Sequence, residues 1–371
     1  MKVLVTGGAG FIGSHTIDYL LERGHEVRIL DALIPQVHGA NAQRPSYLDP
    51  RAELFVGRVE DPVAVKKSLD GVDSVIHLAA AVGVGQSMYQ IVDYCRTNNL
   101  GTAVLWQAIV DNKLRLNSLV VASSMSAYGE GLYRTFDGKV CTPGLRGESQ
   151  LETGDWEHRS PDGRLLIPVP TNESKSLAPT SIYAINKKDQ EEMCLCLGKA
   201  YGIPTTALRL FNVFGSRQAL SNPYTGVAAI FCGRLLNDRN PLVFEDGLQK
   251  RDFVHVKDVA RAFVMAAEHP VPGETINIGS GSDITVLEIA EVLARELGKD
   301  IGPQVVGKFR QGDIRHCFAD ITRARQLLGW SPTTTFKEGV PELVSWVKEQ
   351  RGAEDGVDSA WAELKARGLL G

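Results

Sequence analysis

Three residues of this 371-residue chain have the types and spacing for proton chemistry at a carbon–oxygen centre: Ser124, Tyr183 and Lys187. Tyr183 and Lys187 stand four apart in a segment with helical periodicity, so they share one face. A tyrosine at its ordinary pKa is a poor base at neutral pH. Bringing that pKa from about 10 to about 7 takes roughly 4 kcal/mol of phenolate stabilisation. A lysine one turn away is a cation placed to supply it. Ser124 follows the apolar run Leu119-Val120-Val121-Ala122 and can hydrogen-bond and orient the reacting hydroxyl. A Tyr-x-x-x-Lys pair is by itself a common coincidence of helices, so its weight depends on the elements that position it.

Those elements begin at residue 2. Lys2-Val3-Leu4-Val5-Thr6 reads as a short buried strand that breaks into Gly7-Gly8-Ala9-Gly10-Phe11-Ile12-Gly13. A helical pattern follows until Gly24, and a second strand, Glu26-Val27-Arg28-Ile29-Leu30, ends on Asp31. Gly7 permits a tight turn, and Gly10 lets a pyrophosphate approach the backbone. Gly13 lets the helix pack closely on the sheet, so that its first N–H groups, opened by Phe11 and Ile12, face the phosphates. Asp31 stands where a carboxylate accepts both ribose hydroxyls of an adenosine. It would repel a 2′-phosphate, which predicts NAD rather than NADP. A glycine triplet alone is a weak signal; strand, glycines, helix, strand and Asp in one unit predict a dinucleotide site. The positive charge of an oxidised nicotinamide would then help Lys187 lower the Tyr183 pKa, and the lysine would also hold the nicotinamide ribose.

The alternation continues. A third strand is expected over Ala52–Val56, a helix over Val63–Leu69, and a strand over Ser74–Leu78 running into the small residues Ala79-Ala80-Ala81, where a cofactor can lie against backbone. A long helix is expected from about Ile91 to Val110, carrying Asn98 and Gly101, before the strand that ends at Ser123-Ser124-Met125. Strands alternating with helices predict an α/β Rossmann-type doubly wound parallel sheet, with ligands at the carboxyl ends of its strands. Residues 129–175 break the rhythm, being rich in Gly, Pro and charge, and are expected to be an irregular functional insertion. Periodicity resumes in a helix Tyr183–Gly198 and a strand Thr205–Leu210. The expected division is an NAD-binding domain over 1–215 plus about 252–268, and a smaller α/β substrate domain over 216–251 and 269–350. Residues 351–371 are expected to form a peripheral tail.

Composition sets outer limits. A hydrophobic fraction of 43% with 23% charged residues is that of a globular chain with ample core. A formal net charge of -4 argues against nucleic acid as a partner. No apolar stretch has the length of a membrane span, and the chain opens directly into its first strand with no basic, apolar leader. Six scattered cysteines (95, 141, 194, 196, 232, 317) are most simply reduced thiols of a cytoplasmic protein.

Taken together, these motifs resemble the extended short-chain dehydrogenase/reductase family. The resemblance rests on Thr6–Gly13, Asp31, His77-Leu78-Ala79-Ala80, Asn98-Asn99-Leu100-Gly101-Thr102, Ser123–Gly129 and Tyr183-Ala184-Ile185-Asn186-Lys187. It continues through Arg209–Gly215, Arg251–Val259, Asn277-Ile278-Gly279 and Arg310-Gln311-Gly312-Asp313, in family order, to about Trp346. It implies a nucleotide-sugar enzyme with NAD in the first domain, contacted also at Val59, Leu78, Ala79, Ala80, Asn98, Ser123 and Phe211. It further implies that Asn212, Arg251, Arg310 and Asp313 bind the nucleotide diphosphate, where arginine forks suit the oxygens. Arg217 and Arg315, by contrast, read as surface ion-pair partners. Family members of this kind commonly form homodimers through the two long helices.

Departures from the family pattern bear on the reaction. Dehydratases of the family place Asp-Glu after the catalytic hydroxyl residue, but Met125 and Ser126 stand here and cannot act as acid and base. An epimerase needs only the Ser/Tyr/Lys set and a roomy pocket, and Cys317 falls where related 4-epimerases carry a residue that limits pocket size. Arg58-Val59 replaces the acidic residue that often meets the adenine amino group. The segments Tyr128–Arg134, Gly154–Arg159 and Pro168–Glu173 resemble the dTDP-L-rhamnose 4-epimerase branch. Relatives carry a cysteine knuckle in this insertion; here only Cys141 and His158 remain, too few for a closed zinc site, so no metal is expected. The expectation is therefore an NAD-dependent nucleotide-sugar 4-epimerase working through a transient 4-keto sugar, with dTDP-L-rhamnose and dTDP-6-deoxy-L-talose as the pair. A UDP-sugar epimerase, a reductase or a decarboxylase on the same scaffold is the alternative. A non-catalytic dinucleotide sensor would usually lack the Tyr/Lys pair.

Overall fold

The computed structural model describes residues 1–39, 43–220, 222, 226–310, 312–350 and 357–369. Gln311 of the Arg310–Asp313 segment lies outside them, as do 351–356 and 370–371 of the expected tail. Seven parallel strands form one sheet: β1 (Lys2–Thr6), β2 (Glu26–Asp31), β3 (Glu53–Val56), β4 (Ser74–His77), β5 (Ser118–Ser124), β6 (Thr205–Leu210) and β7 (Thr275–Ile278). Their order is β7-β6-β5-β4-β1-β2-β3. Helices cover both faces of such a sheet, so its central strands must be apolar on both sides. Accordingly β4 and β6 are buried along their whole length, and β5 except at Ser124. The strand order reverses between β1 and β4, which opens a crevice at their carboxyl ends. Thr6, Asp31, Leu78 and Ser124 all arrive at that edge.

The long helix after β4 is not uniform. It runs as Ile91–Cys95, then a π-type turn Arg96–Leu100, then Gly101–Asp111. A π turn inserts one residue into the helical ladder and is frequent at functional sites; here it carries Asn98. The helix Ile182–Tyr201 starts on Ser181, whose hydroxyl accepts the Ala184 N–H at 3.1 Å. It stops at Gly202 in the left-handed conformation. Its first turn therefore lies beside the end of β5, and Tyr183 and Lys187 come with it.

A second core gathers Phe214, Phe231, Phe253, Leu293 and Leu343 between helices Val227–Leu236, Val286–Leu297 and Phe336–Glu349. The expected boundary needs one correction. Thr275–Ile278 pairs with Ala207–Leu210 and closes the large sheet, so this stretch belongs to the first layer although the sequence placed it in the second domain. A four-residue strand, Thr275-Ile276-Asn277-Ile278, carries no mark of which sheet will accept it.

The insertion is also more ordered than its composition suggested. Leu132–Arg134 pairs antiparallel with both Val140–Cys141 and Ile167–Val169. Its base is pinned by a cluster of buried charges. Glu130 accepts the N–H groups of Arg315 and His316, both at 2.7 Å, and faces His158 at 3.1 Å. Arg315 reaches Glu157, Glu245 and Asp246, and Arg146 grips Glu245 through two bonds of 2.9 and 2.8 Å. Arg315 is fully buried, which corrects the expectation of a surface pair. Arg217 does make such a pair, with Asp18 at 2.7 Å.

Candidate active site

The glycine turn shows why glycine is required. Gly7 has φ of +69°, and a Cβ there would sit 2.8 Å from the Ala79 nitrogen. A Cβ on Gly13 would lie 2.4 Å from the Gly7 carbonyl oxygen, so the helix packs on the turn backbone to backbone. Asp31 holds this turn from the next strand: its carboxylate accepts the N–H groups of Ala9 and Leu33, each at 2.9 Å. The same carboxylate faces the crevice. Val59, 5% exposed, packs against Gly101, where a Cβ would come within 2.4 Å of its Cγ1.

A cleft of about 1250 Å³ extends from this turn across the end of β5 to the second core. Gly7, Gly10, Phe11, Ile12, Gly13, Asp31, Val59, Leu78, Ala79, Ala80, Ser123 and Phe211 line its first-domain part. Ser124, Met125, Tyr183 and Lys187 line the middle, and Asn212, Arg251, Arg310 and Asp313 the far part. Residues from across the chain therefore converge on one space. Among the described residues, Ser123 Oγ, Asn212 Oδ1 and Gln249 Oε1 are buried polar atoms there with no protein partner. Unpaired buried polar groups are costly, so atoms of this kind at strand ends are suited to a ligand. A glycine cradle, a carboxylate at the second strand end and a free hydroxyl near the reactive pair fit a dinucleotide.

Two predicted site residues sit differently. Asn98 does not line the cleft: its side chain accepts the Ala81 N–H at 2.7 Å and donates to the Ala81 carbonyl at 3.1 Å, fixing the loop after β4. Cys317 is 1% exposed, its Sγ lies 3.9 Å from Thr171 Oγ1, and it is absent from the cleft wall. The inference of pocket room from its small side chain is therefore withdrawn; Cys317 bridges to Arg251 through backbone and fills core.

The electrostatics of the reactive pair also depart from expectation. Burial pushes the Tyr183 phenol up, and a hydrogen bond with Ser124 opposes it. Burial pulls Lys187 itself down to about 8, and its ammonium donates to Gln190 Oε1 at 2.8 Å. Gln190 Nε2 donates to Thr102 Oγ1 at 2.8 Å, and Thr102 donates to the Asn98 carbonyl at 2.7 Å. His77 spans Thr102 and Thr6 at 3.0 and 2.7 Å, and burial, with Lys187 nearby, drops its pKa to about 3. The imidazole is thus neutral, with one donor and one acceptor. Thr102 has spent its proton on Asn98, so His77 Nε2 carries the hydrogen and Nδ1 accepts from Thr6. Thr6 Oγ1 in turn accepts the Ala79 N–H at 3.2 Å. A buried chain of hydrogen bonds thereby ties the loop after β4 to Lys187. Sequence reasoning missed Gln190, although its spacing of three from Lys187 and seven from Tyr183 put it on the same face.

On the substrate side, Arg251 donates to the carbonyls of Lys250, Ile314 and Arg315 at 2.7–2.9 Å. It shapes the 310–315 segment as well as lining the cleft. Arg310 bonds Asp313 at 2.8 Å and lies 4.6 Å from the Phe244 ring centre.

The fold and site define a dinucleotide-binding α/β enzyme with a Ser/Tyr/Lys centre. The model of the NAD-dependent epimerase/dehydratase family matches residues 3–279, and the chain belongs to that family. The dTDP-L-rhamnose 4-epimerase of Burkholderia thailandensis is 37% identical over 353 residues, covering 94% of this chain and 95% of its own. The UDP-glucose 4-epimerase of Thermotoga maritima, solved with UDP-glucose, superposes with a TM-score of 0.76 at 30% identity, covering 94% of this chain and 99% of that one. The UDP-glucuronic acid 4-epimerase of Bacillus cereus, solved with UDP-glucuronic acid and NAD, gives 0.74 at 29% identity, covering 94% and 99%. Among the described residues no helix is long and apolar enough to cross a membrane.

Proposed function

We propose that this chain is a nucleotide-sugar 4-epimerase, with dTDP-L-rhamnose and dTDP-6-deoxy-L-talose as its substrate pair. The observation that carries the reaction is the Ser124–Tyr183–Lys187 centre with Met125 and Ser126, rather than an acid pair, beside it. Bound against the glycine turn, NAD supplies reversible hydride exchange at C4 of the sugar. Tyr183 takes the C4 hydroxyl proton and later returns it, while Ser124 bonds the same oxygen and keeps it in line. Lys187, held by Gln190, provides the nearby cation that a phenolate needs. Neither Met125 nor Ser126 can protonate a leaving hydroxyl, so the site lacks the groups that elimination would require. Asn212, Arg251 and Arg310 hold the nucleotide diphosphate at the far end, with Asp313 orienting the Arg310 guanidinium, and leave the sugar free to present its other face. The wide cleft gives it room to turn.

The dTDP assignment rests on the insertion segments and on the relative at 37% identity. A UDP-sugar is the second reading, favoured by the UDP-sugars bound in the solved neighbours. We also propose a homodimer through the two long helices, which expose Ile91, Val92, Leu100 and Ile185. The test is a panel of dTDP- and UDP-sugars incubated with the protein, with the configuration at C4 followed by NMR. Inversion of dTDP-L-rhamnose supports the assignment; inversion of UDP-sugars alone supports the second reading; carbon dioxide release or net consumption of cofactor contradicts both.

A further inference from the structure

The segment expected to be a peripheral tail reaches the cleft. Helix Val357–Ala366 and the turn after it place Trp361, Leu364 and Leu369 in the cleft wall. Each end is anchored to a different part of the molecule. Trp361 lies on Phe244, ring centres 5.0 Å apart, and Phe244 also carries the Arg310 guanidinium at 4.6 Å. Leu364, 6% exposed, faces Gly85, where a Cβ would come within 3.5 Å of its Cδ2. Beyond it the Arg367 guanidinium lies 4.4 Å from the centre of the Tyr89 ring. Gly85 and Tyr89 belong to the loop that follows β4 and passes the reactive centre. Phe244 follows Val243 of the second core, and Arg310 lines the far part of the cleft. The helix therefore crosses the mouth of the cleft from one domain to the other and turns apolar side chains inward.

We propose that this C-terminal helix is a wall of the nucleotide-sugar site, with Trp361 and Leu364 as binding residues that close the cleft over the bound sugar diphosphate. The proposal rests on the reading of the cleft as a nucleotide-sugar site. Two consequences follow from the geometry. A wall made of Trp and Leu excludes water from the reaction space and offers the sugar a single polar group, the indole N–H. A wall that touches the ligand but not the Tyr183 oxygen contributes to binding and leaves the proton transfer alone, so its loss should appear in KM more than in kcat.

The test uses the full-length protein and three variants. Trp361→Ala should raise KM for the nucleotide sugar about 10-fold, the size of effect an aromatic contact residue gives, with kcat within about 3-fold. Trp361→Phe should restore most of it. Arg367→Ala, which loosens the helix without touching the cleft wall, should raise KM less. In the wild type, amide hydrogen exchange over 357–369 should slow when UDP or dTDP is added to the NAD-loaded protein. Unchanged KM in Trp361→Ala together with unchanged exchange overturns the proposal while leaving the epimerase reading intact. A wild-type protein that inverts no nucleotide sugar and binds neither diphosphate overturns that reading, and this proposal with it.

Discussion

Two buried polar regions of this molecule handle charge in opposite ways. At the base of the insertion, Arg146 and Arg315 are matched against Glu157, Glu245 and Asp246, with Glu130 and two histidines completing the cluster. At the end of β5, by contrast, Ser123 Oγ and Asn212 Oδ1 have no partner among the described residues, Tyr183 bonds Ser124, and Lys187 donates to a neutral amide. The first region turns most of its polar groups on itself, leaving Arg146 Nε without a hydrogen-bond partner among the described residues and His158 Nε2 facing Glu130 at 3.1 Å, and therefore holds structure. The second keeps hydrogen-bonding capacity and a weakened cation in reserve, which is the condition of a site that meets a ligand. Degree of internal pairing, more than burial or charge, separates scaffold from active centre here.

The largest effect expected from breaking this contrast is at Tyr183. Tyr183→Phe keeps the ring and removes the oxygen, so turnover should fall by at least the 10²–10⁴ typical of a lost acid–base group. Nucleotide-sugar binding by calorimetry should be retained, and thermal stability should hardly change. The scaffold side should show the reverse. Arg315→Met leaves Asp246 without its cation, Glu245 with Arg146 alone and Glu157 with His316 alone, and breaking a buried pair in this way costs about 3–5 kcal/mol of stability. Urea denaturation reads that loss. If the variant keeps full stability, the cluster is not the pin described here.

Gln190→Leu is the next smaller perturbation. It removes the acceptor of the Lys187 ammonium and leaves the buried amine less able to hold its proton. The lysine, already at about 8, should deprotonate at lower pH, so activity should decline earlier on the alkaline side. An alkaline limb that does not move would remove Gln190 from the positioning chain. The smallest effect concerns acid. Burial pushes Glu130 and Glu157 up, but bonds and charge from His158, Arg315 and His316 outweigh it and leave both at about 2. Carboxyls depressed below the ordinary 4.5 give stability that is complete above that pH and lost as pH falls towards 2. Urea midpoints between pH 5 and pH 3, as an order-of-magnitude window, should fall in the wild type and in Tyr183→Phe alike.

Legibility in the sequence followed the range of the contacts. The alternating strands, the glycine turn, Asp31 and the Tyr183–Lys187 face are set by periodicities of two to four residues, and they were readable. The insertion cluster joins Glu130 to Arg315 across 185 residues, and composition alone gives no pairing at that distance. The same limit hid where the C-terminal helix docks: charged, Gly-flanked residues read as a peripheral helix or tail because Tyr89 and Phe244, their partners, lie far back in the chain. Asn98 was found by motif yet given a direct role, whereas it works through Ala81. Cys317 was placed in the pocket by resemblance, and the core claims it.

The central claim is that the C4 hydrogen leaves and returns within one closed site. It is tested by running wild-type turnover in deuterium oxide, with no cofactor added, and reading C4 of the product by NMR. The account predicts inverted product with its original hydrogen at C4 and no deuterium there. Deuterium at C4 would mean exchange with solvent through a carbanion, and the hydride mechanism drawn from this site would be wrong.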